Sequence, residues 1–367
     1  NVTSGVMTLN GTSNSHFGSL LNQGVITVNS PVVVSGGYEQ DAGSLTVNGG
    51  APGLTTGSFS GAGGVITLNN AAWSITQSED GIYKGDIAGS GTVSKAGSAT
   101  LELAGGVGSF TASALNVAAG QVSVANAYSL GDAVAVTTAP QGTLTQLGDQ
   151  KIGLGLNTGT WNLISDLTTT GAGFVNDGTL NVVGTLDSVA GTETAATRTL
   201  TTAGLSGGAD GVINLGGLNG SLGNQLVVDQ SGASVYAGHF TGAGGLSKTG
   251  SGVLTLTGAS SFTGPLLVDG GVLDTTGGGT FADTLDVTVG KNGTYHVGTD
   301  DTIHSLTNAG VTQVTASLGV TTLLNQVGGS TTVDGGLVAS GDVSNAGSLV
   351  FDAGSVGAVS GSVVNSG

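Results

Sequence analysis

Asn22-Gln23-Gly24-Val25-Ile26-Thr27-Val28 is a short stretch that joins a turn to a strand. Asn hydrogen-bonds its own backbone and tolerates the left-handed conformation, and Gly supplies a positive φ, so Asn-x-Gly indicates a turn. Apolar and polar residues then alternate, and a period of two places every second side chain on one face of a strand. The stretch therefore predicts a strand of about four residues that begins at a tight corner.

The same unit recurs along the chain, at residues 41–47, 176–182 and 345–351, with a weaker copy at 308–314. No long segment shows the 3.6-residue apolar period of a helix, so helices are not expected. Short strands separated by Gly-rich corners fit the coils of a solenoid, in which each coil packs only on its neighbours. We expect coils of about 20 residues whose inward Val, Leu, Ile and Ala stack at a strand spacing of ~4.8 Å. We also expect outward Thr, Ser and Asn side chains to form ladders along the surface.

A longer internal duplication relates residues 77–105 to residues 230–258 without gaps. Uncommon residue types in this composition recur at matched positions, including Tyr83 with Tyr236 and Lys95 with Lys248. The two copies extend over about 73–124 and 226–275. We expect the lysine stems to cover a turn and the ammonium groups to meet backbone carbonyls.

A resemblance to a known family lies in residues 242–258, which read GAGGLSKTGSGVLTLTG. Together with SFTG at 261–264 and VDGGVL at 268–273, this segment resembles the autotransporter-associated β-strand repeat. The Asn-x-Gly units are also similar to filamentous-haemagglutinin-type β-helix adhesins. Both resemblances imply a parallel β-helix exported to the surface of a Gram-negative bacterium, where it is extracellular.

We therefore predict an all-β fold, a right-handed single-stranded parallel β-helix that is continuous over 1–367. The chain is expected to be a fragment of a longer passenger. Its contact with the membrane would run only through a C-terminal β-barrel that lies outside the sequence. Autotransporter export and two-partner secretion both stay open.

Composition and charge restrict the partners. The chain has 23 acids, 6 bases and no Cys, which gives a net charge of −17 and excludes disulfides. Such a charge repels nucleic acid and anionic lipid headgroups. No cofactor and no nucleic-acid partner are expected. The expected partners are the chain itself on neighbouring cells, or glycans and proteins of a host or other surface.

Candidate ligand-binding residues are few, and we expect neither a catalytic set nor a metal site. One candidate edge combines aromatic and acidic residues at Trp73, Glu79, Asp80 and Tyr83, although the repeat of Tyr83 as Tyr236 favours a structural role. The remaining candidates are Trp161, Asp300 and Asp301. His296 and His304 flank that last acidic pair, but a Zn²⁺ or Ca²⁺ site needs three or more convergent ligands.

Three functions fit the sequence. The leading hypothesis is a surface adhesin and self-association scaffold that acts in cell–cell or cell–surface attachment, because a long polar wall suits weak, multivalent contacts. The alternatives are a passive stalk that displays another domain and a polysaccharide-degrading enzyme built on a β-helix. An enzyme is not expected, because adjacent carboxylates such as Asp300 and Asp301 point to opposite faces when they lie in a strand, although this objection weakens if they lie in a turn.

Overall fold

A computed structural model of the chain describes residues 1–11, 14–183, 185–189, 192–216 and 223–367. Within these ranges the secondary structure is all β, and the strands pair in parallel from coil to coil as a β-solenoid, which confirms the predicted fold class. One pair departs from this pattern, because β20 (Thr185–Val189) and β21 (Thr192–Ala196) are antiparallel.

The chain divides into two compact units, Asn1–Gly173 and Phe174–Gly367. Continuity of one β-helix over 1–367 stays a prediction. The strands of the first unit run from two to 13 residues, so some have the predicted length of about four residues and others exceed it. They are β1 (Val6–Leu9), β2 (Ser15–Phe17), β3 (Leu20–Asn22), β4 (Val25–Val28), β5 (Val32–Val34), β6 (Tyr38–Gln40), β7 (Ser44–Thr56), β8 (Phe59–Ser60), β9 (Val65–Thr76), β10 (Gly81–Tyr83), β11 (Asp86–Gly89), β12 (Thr92–Ala96), β13 (Thr100–Leu103), β14 (Ala114–Val124), β15 (Ala135–Gln146), β16 (Gln150–Asn157) and β17 (Thr160–Leu163).

The division between the units falls within β18 (Leu167–Asn176). Besides β20 and β21, the strands of the second unit are β19 (Thr179–Val182), β22 (Thr199–Thr202), β23 (Leu205–Ser206), β24 (Val212–Asn214), β25 (Gln225–Asp229), β26 (Ser234–Tyr236), β27 (His239–Thr241), β28 (Gly245–Thr249), β29 (Val253–Leu256), β30 (Leu266–Val268), β31 (Gly271–Asp274), β32 (Asp286–Val289), β33 (Gly293–Val297), β34 (Asp301–Asn308), β35 (Val311–Val314), β36 (Ser317–Asn325), β37 (Ser330–Val333), β38 (Gly336–Ala339), β39 (Val343–Asn345), β40 (Ser348–Phe351), β41 (Val356–Val359) and β42 (Val363–Asn365).

Inward side chains form columns, because each strand pairs in register with the strand one coil away. In the second unit one column is aliphatic over eight coils: Leu226, Leu246, Leu266, Val287, Leu306, Leu323, Val343 and Val363. Stacking like on like removes apolar surface from water at every coil, which is the main force that holds the coils together.

The column two residues further along each strand changes from aliphatic to polar. It reads Val228, Lys248, Val268, Val289, Asn308, Asn325, Asn345 and Asn365. Inside the coils the Asn308 Nδ2 donates to Asn325 Oδ1 at 3.1 Å, and the Asn325 Nδ2 donates to Asn345 Oδ1 at 2.7 Å. The interior was expected to be aliphatic, and this buried amide ladder corrects that expectation.

Aromatic rings also stack inside the coils. In the first unit the Phe59 ring lies 5.6 Å from Tyr38 and 4.6 Å from Trp73, measured between centroids. In the second unit the rings of Phe240 and Phe262 lie 5.9 Å apart. Aromatic rings therefore form part of the packed interior of both units.

The corner glycines serve two purposes, and the positive φ expected from turn chemistry is one of them, as at Gly43 with a φ of 66°. Gly24 and Gly310 do not adopt a positive φ. Instead, a Cβ atom on Gly310 would lie 2.2 Å from the carbonyl oxygen of Gly290 in the preceding coil. The Asn-x-Gly corner is closed by the Asn308 Oδ1, which accepts a hydrogen bond from the Gly310 amide at 3.1 Å. Gly is therefore required because neighbouring coils approach closely at the corners.

Candidate functional site

The aromatic candidates lie inside the coils. The side chains of Trp73 and Trp161 are both 0 % exposed. The Trp73 indole Nε1 donates to Thr56 Oγ1 at 3.1 Å, and the Tyr83 hydroxyl donates to the Gly64 carbonyl oxygen at 3.0 Å. Burial raises the pKa of Tyr83 above its usual range, with a smaller contribution from Asp86. None of these rings reaches the surface, and Tyr83 matches the structural role that its repeat as Tyr236 indicated.

The acidic candidates beside them are at the surface. Glu79 and Asp80 are exposed at a corner. The Asp80 Oδ1 accepts a hydrogen bond from the Thr100 amide at 2.7 Å, and the Glu79 amide donates to Ser58 Oγ at 3.2 Å. The Asp80 side chain thus links one coil to the next, and Glu79 is the candidate acid of this edge whose carboxylate stays exposed to solvent.

Asp300 and Asp301 line a surface groove with a volume of about 670 Å³. A third acid, Asp283, lines the same groove beside Phe281 and several hydroxyl-bearing residues: Thr280, Thr302, Ser317, Thr321 and Ser340. Asp283 was not among the sequence candidates, because only the stacking of two coils brings it to this pair.

Both acids of the pair hold backbone amides of neighbouring coils. The Asp300 Oδ1 accepts from the Ser317 amide at 2.8 Å. Both carboxylate oxygens of Asp301 accept from the Phe281 amide, at 3.2 and 3.1 Å. Burial raises the pKa of Asp301 to about 6, while those amide bonds act to lower it and Asp283 adds to the rise. The groove is therefore built by acids that stabilise coil stacking.

The histidines on either side of this pair do not converge on it. His296 Nδ1 lies 3.1 Å from Asp274 Oδ1, and His304 Nδ1 lies 2.8 Å from Asp286 Oδ1. Among the described residues no group of three or more His, Cys, Asp or Glu side chains is placed to hold a metal ion. Ser305 Oγ also donates to Asp286, so the acid lies between the serine and the histidine. In a hydrolytic triad the histidine occupies that central place.

The two repeated lysines are enclosed at coil corners, as the sequence predicted. Lys95 Nζ donates to the carbonyl oxygens of Gly97 and Ala119, both at 3.0 Å, and to that of Ala99. Burial lowers the pKa of Lys95 to about 8, and Asp80 opposes this change. Both lysines are 0 % exposed. We expected the side-chain stems to cover a turn at the surface, and the structure instead buries the whole side chain.

A neutral, regular surface lies on β1, β4, β7 and β9 of the first unit. In-register pairing places three outward columns side by side, and we name this surface the Val/Thr/Asn face. Its members are Val6, Val25, Ser44 and Val65, then Thr8, Thr27, Thr46 and Thr67, then Asn10, Asn29, Asn48 and Asn69. None of these side chains ionises. In the next coil Asp86 pairs with Val65, so a charged residue marks the end of the face.

The asparagines of this face are joined by side-chain hydrogen bonds from coil to coil. Asn29 Nδ2 donates to Asn10 Oδ1 at 2.6 Å, Asn48 Nδ2 to Asn29 Oδ1 at 2.8 Å, and Asn69 Nδ2 to Asn48 Oδ1 at 2.7 Å. The predicted outward ladder is thus present. Its sequence signal is the pentapeptide pattern VMTLN, VITVN, SLTVN and VITLN, which recurs once per coil.

These features define a β-solenoid repeat protein with a polar outer wall. Residues 246–274, within the second copy of the duplication, match the family described as passenger-associated-transport-repeat. This match and the β-solenoid fit an autotransporter passenger with β-strand repeats. The repeat implies a secreted, cell-surface passenger domain. No curated protein and no solved structure matches the chain. Within the described residues, no helix is long and apolar enough to span a membrane.

Proposed function

We propose that the chain is an adhesin and self-association scaffold of a secreted autotransporter passenger, and that it is not an enzyme. The observation that carries this proposal is the outward Val/Thr/Asn face, which repeats one neutral pattern on successive coils in a chain of net charge −17. A repeated surface supplies many identical weak contacts, and such contacts add through avidity when copies are displayed together.

The arrangement of the acids and histidines supports a non-catalytic function. The Asp301 carboxylate is occupied by backbone amides of Phe281 and Thr302. Asp286, His304 and Ser305 are exposed or half-buried, and no hydrogen bond joins the serine to the histidine among the contacts of this cluster. A general base or nucleophile needs a free, oriented partner, which neither cluster supplies.

Display of the chain on cells or beads tests the proposal. Adhesion predicts that coated particles aggregate with one another or bind to host-cell or glycan-coated surfaces, whereas uncoated particles do not. Particles that stay dispersed and bind to no surface would support a passive stalk instead. A screen of acidic and neutral polysaccharides, with Asp300→Asn and Asp301→Asn as controls, tests the enzyme alternative, and sustained turnover that these variants lose would overturn the proposal.

A further inference from the structure

We infer that the Val/Thr/Asn face is the surface on which a second copy of this chain docks, face to face. This inference rests on the proposed function, since it assigns the surface of self-association and its partner. The partner is the same face of another copy, so the contact is isologous.

Electrostatics favours this surface over the acid-bearing surfaces of the first unit. A net charge of −17 makes two copies repel each other at long range. The strands β10 and β13 present Glu102 outward, and the adjoining corners carry Glu79 and Asp80. The Val/Thr/Asn face has no ionisable side chain over four coils, so two copies approach there without a like-charge contact.

The polar groups of the face are self-complementary. A side-chain amide carries two N–H donors and an oxygen with two lone pairs, and a hydroxyl both donates and accepts. Asn29 and Asn48 each use one donor and one acceptor site within the ladder. The remaining sites, and the hydroxyls of Thr27 and Thr46, can pair with the same groups on an identical face.

A column of exposed valines adds an apolar contribution. Val6 is 75 % exposed, Val25 40 % and Val65 38 %, whereas the inward valines of the same strands, Val28 and Val47, are almost fully covered. Covering these side chains with a second copy removes apolar surface from water, which is favourable in itself. The valine column lies beside the threonine column, so one flat contact would bury both.

The size of the face sets the strength of the contact. Four coils at ~4.8 Å and five residues at ~3.3 Å each give a patch of roughly 300 Å². A stable pair of proteins buries about 800 Å² on each partner. One contact is therefore too small to hold a dimer in dilute solution, and the docking is effective only when many copies are displayed on each surface.

The test uses the full chain attached to beads at equal density, with aggregation measured by flow cytometry. One variant carries Thr27→Glu and Thr46→Glu, and a second carries Thr27→Lys and Thr46→Lys. These positions are partners in adjacent coils at the centre of the face. The matched control carries Thr143→Glu and Thr160→Glu, which are outward partners in adjacent coils on β15 and β17. Variants are used only if their far-ultraviolet circular dichroism equals that of the wild type.

Docking through this face predicts that either Thr27/Thr46 variant alone aggregates about tenfold less than the wild type, because like charges then oppose each other. Beads of the Glu variant mixed with beads of the Lys variant should recover most of the lost aggregation. The Lys variant mixed with the Thr143/Thr160 control should show no such recovery. Failure of the Glu and Lys variants to recover on mixing, or equal loss in the control, overturns the assigned face. Wild-type beads that never aggregate overturn self-association together with it.

Discussion

Lys95 and Lys248 occupy equivalent corners in the two copies of the repeat, and three backbone carbonyl oxygens surround each ammonium group. For Lys248 these are the carbonyls of Thr249, Gly250 and Gly270, at 2.6, 3.1 and 3.1 Å. In each case one of the three carbonyls belongs to the following coil. A buried cation thus satisfies corner carbonyls that would otherwise lack partners.

Replacement of Lys95 by Met should therefore destabilise the first unit. Met fills a similar volume but leaves the carbonyls of Gly97, Ala99 and Ala119 without their donor, at a cost of about 2 kcal/mol. Urea denaturation followed by circular dichroism measures the change. The exposed Lys84 provides the control, since Lys84→Met should shift the midpoint little. Equal midpoints for Lys95→Met and wild type would show that the ammonium group contributes no net stability.

Replacement of Asp301 by Asn should change how stability depends on pH. The folded pKa is about 6, above the ordinary value of 3.8, so between these values the folded state binds more protons than the unfolded state. Stability due to this group is therefore greatest at low pH and declines as pH rises from about 4 to 6. The urea midpoint of wild type minus that of Asp301→Asn should fall over this range.

The matched control is Asp210→Asn, which alters an exposed acid of the same unit. It removes one negative charge away from the groove, so it shows what the loss of a surface acid alone does to the midpoint. A flat difference between wild type and Asp301→Asn would mean that the folded and unfolded pKa values of this carboxyl are equal.

A methyl group at a stacked corner should be far more costly than one at an open corner. In Gly310→Ala the new Cβ would meet the Gly290 carbonyl oxygen at 2.2 Å, so a coil must shift. A Cβ on Gly232 meets nothing within 4 Å. We expect Gly310→Ala to lose about 2 kcal/mol or more and Gly232→Ala to stay within about 0.5 kcal/mol of wild type in thermal or urea denaturation. Similar losses in both variants would attribute the effect to turn conformation instead of coil contact.

The buried and the exposed amide ladders should respond differently to the same substitution. Asn325 donates to Asn345 Oδ1 and to the Ser348 carbonyl oxygen inside the coils. Asn325→Leu therefore leaves buried hydrogen-bonding groups without partners and should cost about 2–3 kcal/mol of stability. Asn48→Leu removes ladder bonds at the surface, where water replaces them, and should cost well under 1 kcal/mol. Thermal denaturation of the two variants compares them directly, and equal losses would contradict the contrast.

Much of the fold follows from local pattern. The alternation in residues 25–28 and 44–47 specifies strands with one buried face, and the structure pairs Ile26 with Leu45 in the interior. The duplication marked Tyr83 and Lys95 as structural positions, because both copies keep these uncommon residue types at matched places. Both are buried, and both bond to backbone carbonyls.

The features that the sequence did not predict depend on how successive coils are aligned with one another. Asn308 and Asn325 look like surface residues in the sequence, since an isolated buried amide is costly. They are tolerated inside because the amide of one coil hydrogen-bonds to the amide of the next. The alignment of one coil on the next decides this pairing, and the sequence of a single coil does not reveal it. The groove acids show the same limit, because Asp283 joins Asp300 only through the stacking of separate corners.

The corner glycines and inward columns divide the chain into positions that tolerate change and positions that do not. Outward residues such as Thr27 and Thr46 contact solvent and each other. The corner glycines of the same coils, Gly24 and Gly43, lie against the backbone of the preceding coil. The outer columns can therefore be exchanged for new ones while the scaffold beneath keeps its geometry. A protein engineer could graft binding residues at these places and obtain a different exterior on an unchanged frame.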